Sequence, residues 1–347
     1  MSHTPTTAGS SLTRRVVVAD RGDAGVRLDR VLLRRLADVP GLSRTRAQRW
    51  IEAGQVRVAG RGVTRVAARV AAGDEIAVIF PAPPPRRRPQ PEPGVLDVIH
   101  QDERLLAIDK PAGQVVHPAH RHATGTLLNV LLHHARTDGW LPRLLHRLDR
   151  HTSGVLLVTR NVEAHRALAR AWSTPAVRKH YLAICLGRPP RVRGDIRLPL
   201  ARDPIDGRRV IVAPAGGREA VTRYEVMARS RPPHAGLSLV RCELLTGRTH
   251  QIRVHLAEVG CPVAGDGVYG ARRRAPDLNP RLGTLVAALR RHALHAWRVA
   301  LRLPGEPSLD IVAPLPADLR ELLAGAGIDP GVVEAAAARL SHEGMVR

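Results

Sequence analysis

The sequence is poor in cysteine and almost devoid of lysine. Its three cysteines, Cys185, Cys242 and Cys261, lie far apart and form no Cys-x-x-Cys pair. That argues against a disulfide framework and suits a reducing cytosol. Residues 1–13 are polar and lack the apolar core of a secretory signal, and no uninterrupted apolar run is long enough to span a bilayer. A cytoplasmic protein without membrane contact is expected. No His-Glu-x-x-His occurs. Neither the group His117, His120 and His122 nor the set His250, His255 and Cys261 has an established zinc spacing, so no metal is expected. The Ser153-Gly154 pair lacks the Gly-x-Ser-x-Gly elbow of a serine nucleophile. There is no convincing internal repeat.

What is present in excess is arginine. Against 31 acidic residues stand 54 basic ones, a formal charge of +23, and only Lys110 and Lys179 among them are lysines. A GC-rich genome would account for the preference for arginine over lysine, but not for the excess of basic over acidic residues. Such an excess predicts attraction to a polyanion, and the guanidinium fork suits phosphate.

A chain of 347 residues has room for one or two domains. Residues 1–13 are Ser/Thr-rich and read as a disordered N-terminus. Residues 14–80 read as a compact α+β module. Leu28, Val31, Leu32 and Leu36 recur at helical spacing, and Ser43 caps a second helix with Ala47, Trp50 and Ile51 on its buried side and Gly54 at its end. Val56 and Val58 alternate like a strand, Ala59 to Gly62 turn, and Gly73-Asp74 lead into a strand over Ile76, Val78 and Phe80. Residues 81–94, eight of them proline or glycine with Arg86-Arg87-Arg88 at the centre, read as an extended linker. The remainder divides into a catalytic domain over 95–325 and a C-terminal tail over 326–347. Strand-like runs at 105–108, 181–186, 221–226, 237–244 and 297–303 mix with helices at 126–134 and 163–172, without regular βα alternation. The fold class is therefore α+β, with a mainly antiparallel mixed sheet flanked by helices.

Two segments carry the chemistry. His146-Arg147-Leu148-Asp149-Arg150-His151-Thr152-Ser153-Gly154 places one carboxylate between two arginines and runs into the apolar strand Val155 to Val158. Thr246-Gly247-Arg248-Thr249-His250-Gln251-Ile252-Arg253 follows about a hundred residues later. A carboxylate held beside guanidinium groups is favoured in its ionised form, as a nucleophile or base requires. Together with Asp109 to Gly113, Val116-His117-Pro118, Lys179-His180-Tyr181-Leu182-Ala183, Gly265-Asp266, Tyr269-Gly270 and Ala293-Leu294-His295-Ala296, these segments resemble the RluA-type RNA pseudouridine synthases. The likeness runs from Val95 to Leu303, with the motifs in the family's order. His146 favours this branch over the small-subunit branch, which begins the motif with glycine. His151 departs from an acidic residue frequent in the family.

The resemblance implies a pseudouridine synthase fold and roles for named residues. Asp149 would be the catalytic aspartate, and Arg253 the arginine paired with it. Tyr181 would stack on the uracil, Arg147 would help displace the target base, and Leu294 would line the base pocket. Breaking the C1′–N1 bond, turning the uracil and rejoining it through C5 needs no metal or redox cofactor, so none is expected. Attack on the sugar and elimination to a glycal remain alternatives. Residues 25–80 resemble the alpha-L RNA-binding module, which implies RNA contacts from Arg44, Arg46, Arg49 and Arg57. The expected partner is RNA, large-subunit ribosomal RNA first and transfer RNA second, bound by a monomer. The alternative is a catalytically silent RNA-binding ribosome-assembly factor with the same fold.

Overall fold

The computed structural model describes residues 12–39, 41–81, 89–118, 124–231, 236–270, 278 and 280–345. The chain divides into two compact units, Met1–Arg88 and Pro89–Arg347.

In the first unit β1 (Leu12–Val18) is followed by α1 (Leu28–Arg35), α2 (Arg44–Glu52), β2 (Val56–Val58), β3 (Arg61–Val63) and β4 (Glu75–Pro81). The strands form an antiparallel sheet in the order β1-β4-β2-β3. Leu28, Val31 and Leu32 recur on one side of α1, and Ala47, Trp50 and Ile51 on one side of α2. Both stripes are buried against Val56, Ile76, Val78 and Phe80. Trp50 stacks on Phe80 with ring centroids 4.5 Å apart. The Ser43 hydroxyl accepts the Arg46 amide at 3.3 Å, which starts α2 where the sequence predicts. One boundary differs from expectation. Leu12 and Thr13, given by composition to a disordered terminus, pair with Pro81 and Phe80, because β1 runs in register with the whole of β4.

In the second unit the elements are β5 (Val98–Gln101), β6 (Leu105–Lys110), α3 (Leu127–Asp138), β7 (Arg143–Leu144), β8 (Ser153–Thr159), α4 (Val162–Ala171), β9 (Val177–Leu186), β10 (Arg193–Arg197), β11 (Leu200–Arg202), β12 (Val210–Val212), β13 (Val221–Arg229), β14 (Leu237–Leu244), α5 (Gln251–Glu258), α6 (Pro280–Ala288), β15 (Leu294–Leu301), β16 (Leu309–Val312), α7 (Ala317–Gly325) and α8 (Gly331–Met345). The main sheet runs β10-β13-β14-β9-β15-β8-β6-β5, with β16 added to β15 and β7 to β8. Its one parallel pairing is β8 with β15, and the rest are antiparallel. This is the mixed, mainly antiparallel sheet expected of an α+β domain.

The order of strands positions the site. The central strands β9, β15 and β8 carry Tyr181, Leu294 and the segment following Asp149, and β14 leads through a short loop to α5, which carries Arg253. Residues 100 apart in sequence thus converge at mid-sheet. Gly154 is essential to this convergence. It lies at φ +108, and a Cβ there would stand 2.1 Å from the Ala296 carbonyl oxygen across the β8–β15 pair.

Two expectations at the edges of this unit need correction. The second half of the Pro-rich segment is bonded to the second unit. The Glu92 amide donates to the Asn129 carbonyl (3.0 Å), Asn129 Nδ2 donates to the Gln90 carbonyl (2.7 Å), and the Glu92 carboxylate accepts the Gly125 amide (2.8 Å). Residues 82–88 lie outside the described residues. The segment 326–347, expected as a tail, contains α8, whose Val333, Ala336 and Leu340 are buried with Trp297, Leu319 and Leu322. Those three residues recur at helical spacing, so Ala-richness marks a packed helix here.

Candidate active site

The loop before β8 is built by groups that leave its carboxylate facing a cleft. At its start the His146 ring stacks on Trp172 (centroids 4.5 Å apart), and its Nε2 accepts the Leu157 amide at 3.0 Å. Burial pulls the His146 pKa down to about 3, so the ring stays neutral and can accept. At the turn the Thr152 amide donates to the Asp149 carbonyl (3.1 Å). The Arg150 carbonyl accepts from the Gly113 amide (2.8 Å) and from Lys110 Nζ (3.2 Å). Lys110 is wholly buried and also donates to the Pro111 and Gln114 carbonyls at 2.6 and 3.1 Å. Burial, then the charge of Arg291, lowers its pKa to about 8. Below the loop the Thr152 hydroxyl bonds His292 Nε2 (2.8 Å). The Ser153 hydroxyl meets His295 Nδ1 (2.9 Å) and accepts from Arg291 Nη1 (3.1 Å), and Arg291 is held by both oxygens of Asp318.

Asp149 emerges from this scaffold a quarter exposed, and Arg253 Nη1 donates to its Oδ2 at 3.0 Å. The guanidinium is 7% exposed and fixed from the far side by Asp266, which accepts from Nε (2.7 Å) and Nη2 (2.9 Å). Asp266 Oδ1 also accepts the Val268 and Tyr269 amides, at 3.0 and 3.1 Å. Burial raises the Asp266 carboxyl, but the bonds from Arg253 outweigh it and hold the group below the usual range. Burial likewise disfavours the charge of Arg253, and the two carboxylates reverse that and push its pKa up. The Tyr269 ring faces the guanidinium at 5.0 Å. His250, in a left-handed conformation at φ +55, places Nε2 3.8 Å from Asp149 Oδ2 and bonds the Tyr269 hydroxyl through Nδ1 at 2.8 Å.

The cleft over Asp149 has a volume of about 390 Å³, and Tyr181, Leu294 and Arg147 line it with Asp149 and Arg253. Burial and the charge of Asp149 push the Tyr181 hydroxyl above the ordinary tyrosine range, so it stays protonated. Leu294 is 4% exposed. Arg147 is exposed and donates through Nη2 to the Thr249 hydroxyl at 2.9 Å, linking the Asp149 loop to the loop before α5. Asp149, Arg253, Tyr181, Arg147 and Leu294, singled out in four separate segments, therefore meet in one cleft.

The chain is similar in sequence and fold to named proteins. The sequence profile described as RNA pseudouridylate synthase matches residues 104–258, and that of the S4 domain matches residues 26–76. Ribosomal large subunit pseudouridine synthase D of Nitrosomonas europaea is 41% identical over 303 residues, which cover 86% of this chain and 84% of that protein. An uncharacterized RNA pseudouridine synthase of Bacillus subtilis, YlyB, is 37% identical over 288 residues, 81% of this chain and 88% of that one. Among solved structures, human RNA pseudouridylate synthase domain containing 4 superposes with a TM-score of 0.54 at 26% identity, covering 66% of this chain and 92% of that chain. The chain belongs to the RNA pseudouridine synthase family.

The arginines singled out in the synthase's S4 unit are not equivalent. Arg44 Nε donates at 3.1 Å to the buried Asp29, which also accepts from Arg27 and from Gln48 Nε2. Arg44 thereby ties α1 to α2, and this use was not visible in its surface-like spacing. The Arg46 guanidinium lies over the Trp50 ring at 5.2 Å. Arg49 and Arg57 are exposed. In the catalytic unit the site also holds groups to which sequence reasoning gave no role: Asp266 behind Arg253, His250 and Tyr269 beside Asp149, and the buried pairs under Thr152 and Ser153. Gly265-Asp266 and Tyr269 stood in a quoted motif, but nothing in their spacing shows that they face Arg253. His117 is exposed, and His120 and His122 lie outside the described residues.

Proposed function

We propose that this synthase isomerises specific uridines of large-subunit ribosomal RNA, in the cytoplasm, with Asp149 as its catalytic carboxylate. The observation that carries the reading is the pairing of Asp149 with a nearly buried Arg253 that a second carboxylate already holds in place. The pair fixes the carboxylate at the floor of the cleft, where it can act at C1′ of an inserted nucleotide, by attack or by base-assisted elimination. The N1–C1′ bond breaks, the uracil turns, C5 bonds to C1′, and the proton lost from C5 is balanced by one gained at N1. Tyr181 and Leu294 offer an aromatic and an aliphatic surface for the detached base. Arg147, exposed at the mouth, is placed to fill the space that the base leaves. Arg46, Arg49, Arg57 and the free edge of Arg44 serve RNA phosphates in the S4 unit.

The ribosomal reading draws on relatives named for the large ribosomal subunit, such as those of Nitrosomonas europaea and of Xylella fastidiosa, the latter 38% identical over 323 residues. The test is to map pseudouridine after incubating the protein with unmodified large-subunit ribosomal RNA and, separately, unmodified transfer RNA. Conversion at discrete sites of the ribosomal RNA alone is expected. Conversion of transfer RNA alone would overturn the substrate assignment and leave the chemistry standing.

A further inference from the structure

The hairpin of β11 and β12 carries Ile205 at its tip, and this isoleucine is 96% exposed. A single exposed apolar residue is ordinary in itself. Here three further observations give it a use.

First, the tip is built to hold its shape. Asp203 Oδ1 accepts the Ile205 amide (2.8 Å) and the Asp206 amide (3.3 Å), and Asp206 accepts from the Arg208 amide (3.1 Å), Nε (2.9 Å) and Nη2 (3.1 Å). Second, the tip is flanked by Arg202, Arg208 and Arg209, while both aspartates are occupied within the turn; the Arg208 side chain is 87% exposed. Third, the base of the hairpin is bonded to the active site. The Val210 amide donates to the Tyr269 hydroxyl at 2.9 Å, and that hydroxyl meets His250, which faces Asp149. Leu200 and Val210 are buried with Ala220 and Val254, so the hairpin packs against α5, the helix that carries Arg253.

Ile205 stands five positions before Val210, so the tip reaches no more than about 17 Å beyond the bond to Tyr269. A nucleic-acid strand rising about 3.4 Å per nucleotide covers such a distance in about five nucleotides. Drawing a base out of its stack is costly, and an apolar side chain pushed into the gap offsets part of that cost.

We propose that the β11–β12 hairpin is an RNA wedge: Ile205 inserts beside bases flanking the target uridine, the neighbouring arginines hold the adjoining phosphates, and the seated hairpin steadies Tyr269, His250 and Arg253. The proposal rests on the pseudouridine synthase reading of the cleft.

The test uses the full chain carrying a photoreactive benzophenone side chain at position 205, irradiated with unmodified large-subunit ribosomal RNA, with crosslinks mapped as reverse-transcription stops. Ile205→Ala is assayed in parallel. The wedge predicts stops clustered within a few nucleotides of a uridine that the wild type converts. It also predicts a fall of about tenfold in kcat/KM for Ile205→Ala, with the melting temperature unchanged because the residue is 96% exposed. Absence of clustered stops, or a wild-type kcat/KM for Ile205→Ala, overturns it. If the wild type converts no RNA, the activity reading fails separately and the crosslink map alone decides the wedge, for it if the stops cluster and against it if they do not.

Discussion

Arg253 divides its donors between two carboxylates, and the division gives each a different task. Asp266 takes Nε and Nη2 in a bidentate grip, which fixes the plane of the guanidinium and leaves Nη1 aimed at Asp149. In the proposed reaction Asp266 is a positioning residue: it holds Arg253 and, through the Val268 and Tyr269 amides, the turn beside it. Replacing it by Asp266→Asn keeps the shape but removes the charge that orients the fork, and a misplacement of about 1 Å at a reacting centre costs on the order of a hundredfold in rate. We expect kcat to fall by about that factor while RNA affinity stays within about threefold. Single-turnover rates with binding measured by filter retention separate the two, and a kcat within twofold of wild type would contradict this role. His146 shows the same economy at the other end of the loop. As a neutral ring it accepts the Leu157 amide and stacks on Trp172, and a glycine at that position could do neither.

Among the elements, β8 and β15 matter most, because their parallel contact sets Asp149 against Leu294 and Tyr181. Gly154→Ala would drive a Cβ into the Ala296 carbonyl in a backbone conformation that alanine resists. A loss of about 2–4 kcal/mol in stability is expected, visible in urea titration, with activity falling further than the unfolded fraction explains. Stability equal to wild type would show that the loop has another way to sit. The helices of both units were legible in the sequence. Ser43 with Ala47, Trp50 and Ile51 marks α2, and the leucines of 127–132 mark α3, although its buried side proves to be Leu127, Val130 and Leu131. The hairpin β11–β12 was not legible, since its strands are three residues each and Pro204 interrupts the pattern. The chain after Pro316 reads as helical from its alanine content, and what was not legible is that α8 packs into the domain, because alanine-rich sequence carries a weak apolar stripe. At the site, the residues singled out from the motifs lie together in the cleft. The approach of Asp266, His250 and Tyr269 to Arg253 and Asp149 is a juxtaposition that local spacing does not encode.

At the scale of the whole molecule, the catalytic unit keeps several histidines neutral inside its core. His146 and His292 are lowered to about 3 and His295 to about 4, each by burial first, and His180 is lowered by burial as well. In the unfolded chain each titrates near its ordinary value of 6.5. Below that value the unfolded state binds protons that the folded state refuses, so stability is full above pH 6.5 and is lost as the pH falls toward 4. Each group contributes a slope of up to about 1.4 kcal/mol per pH unit. Urea midpoints between pH 8 and 5 should therefore drop steeply below 6.5. A midpoint constant down to pH 5 would mean that these rings are charged or solvated in the fold. The proposed chemistry turns on the carboxylate over Arg253, and one comparison tests it most directly. Wild type and Asp149→Asn are incubated with unmodified large-subunit ribosomal RNA, and pseudouridine is counted at each position. Asp149→Asn changes one oxygen to nitrogen and keeps the volume, so folding and RNA binding should persist while conversion falls at least about a thousandfold. Conversion by the variant at a rate near that of wild type would contradict the assignment of Asp149 and with it the mechanism drawn from this cleft.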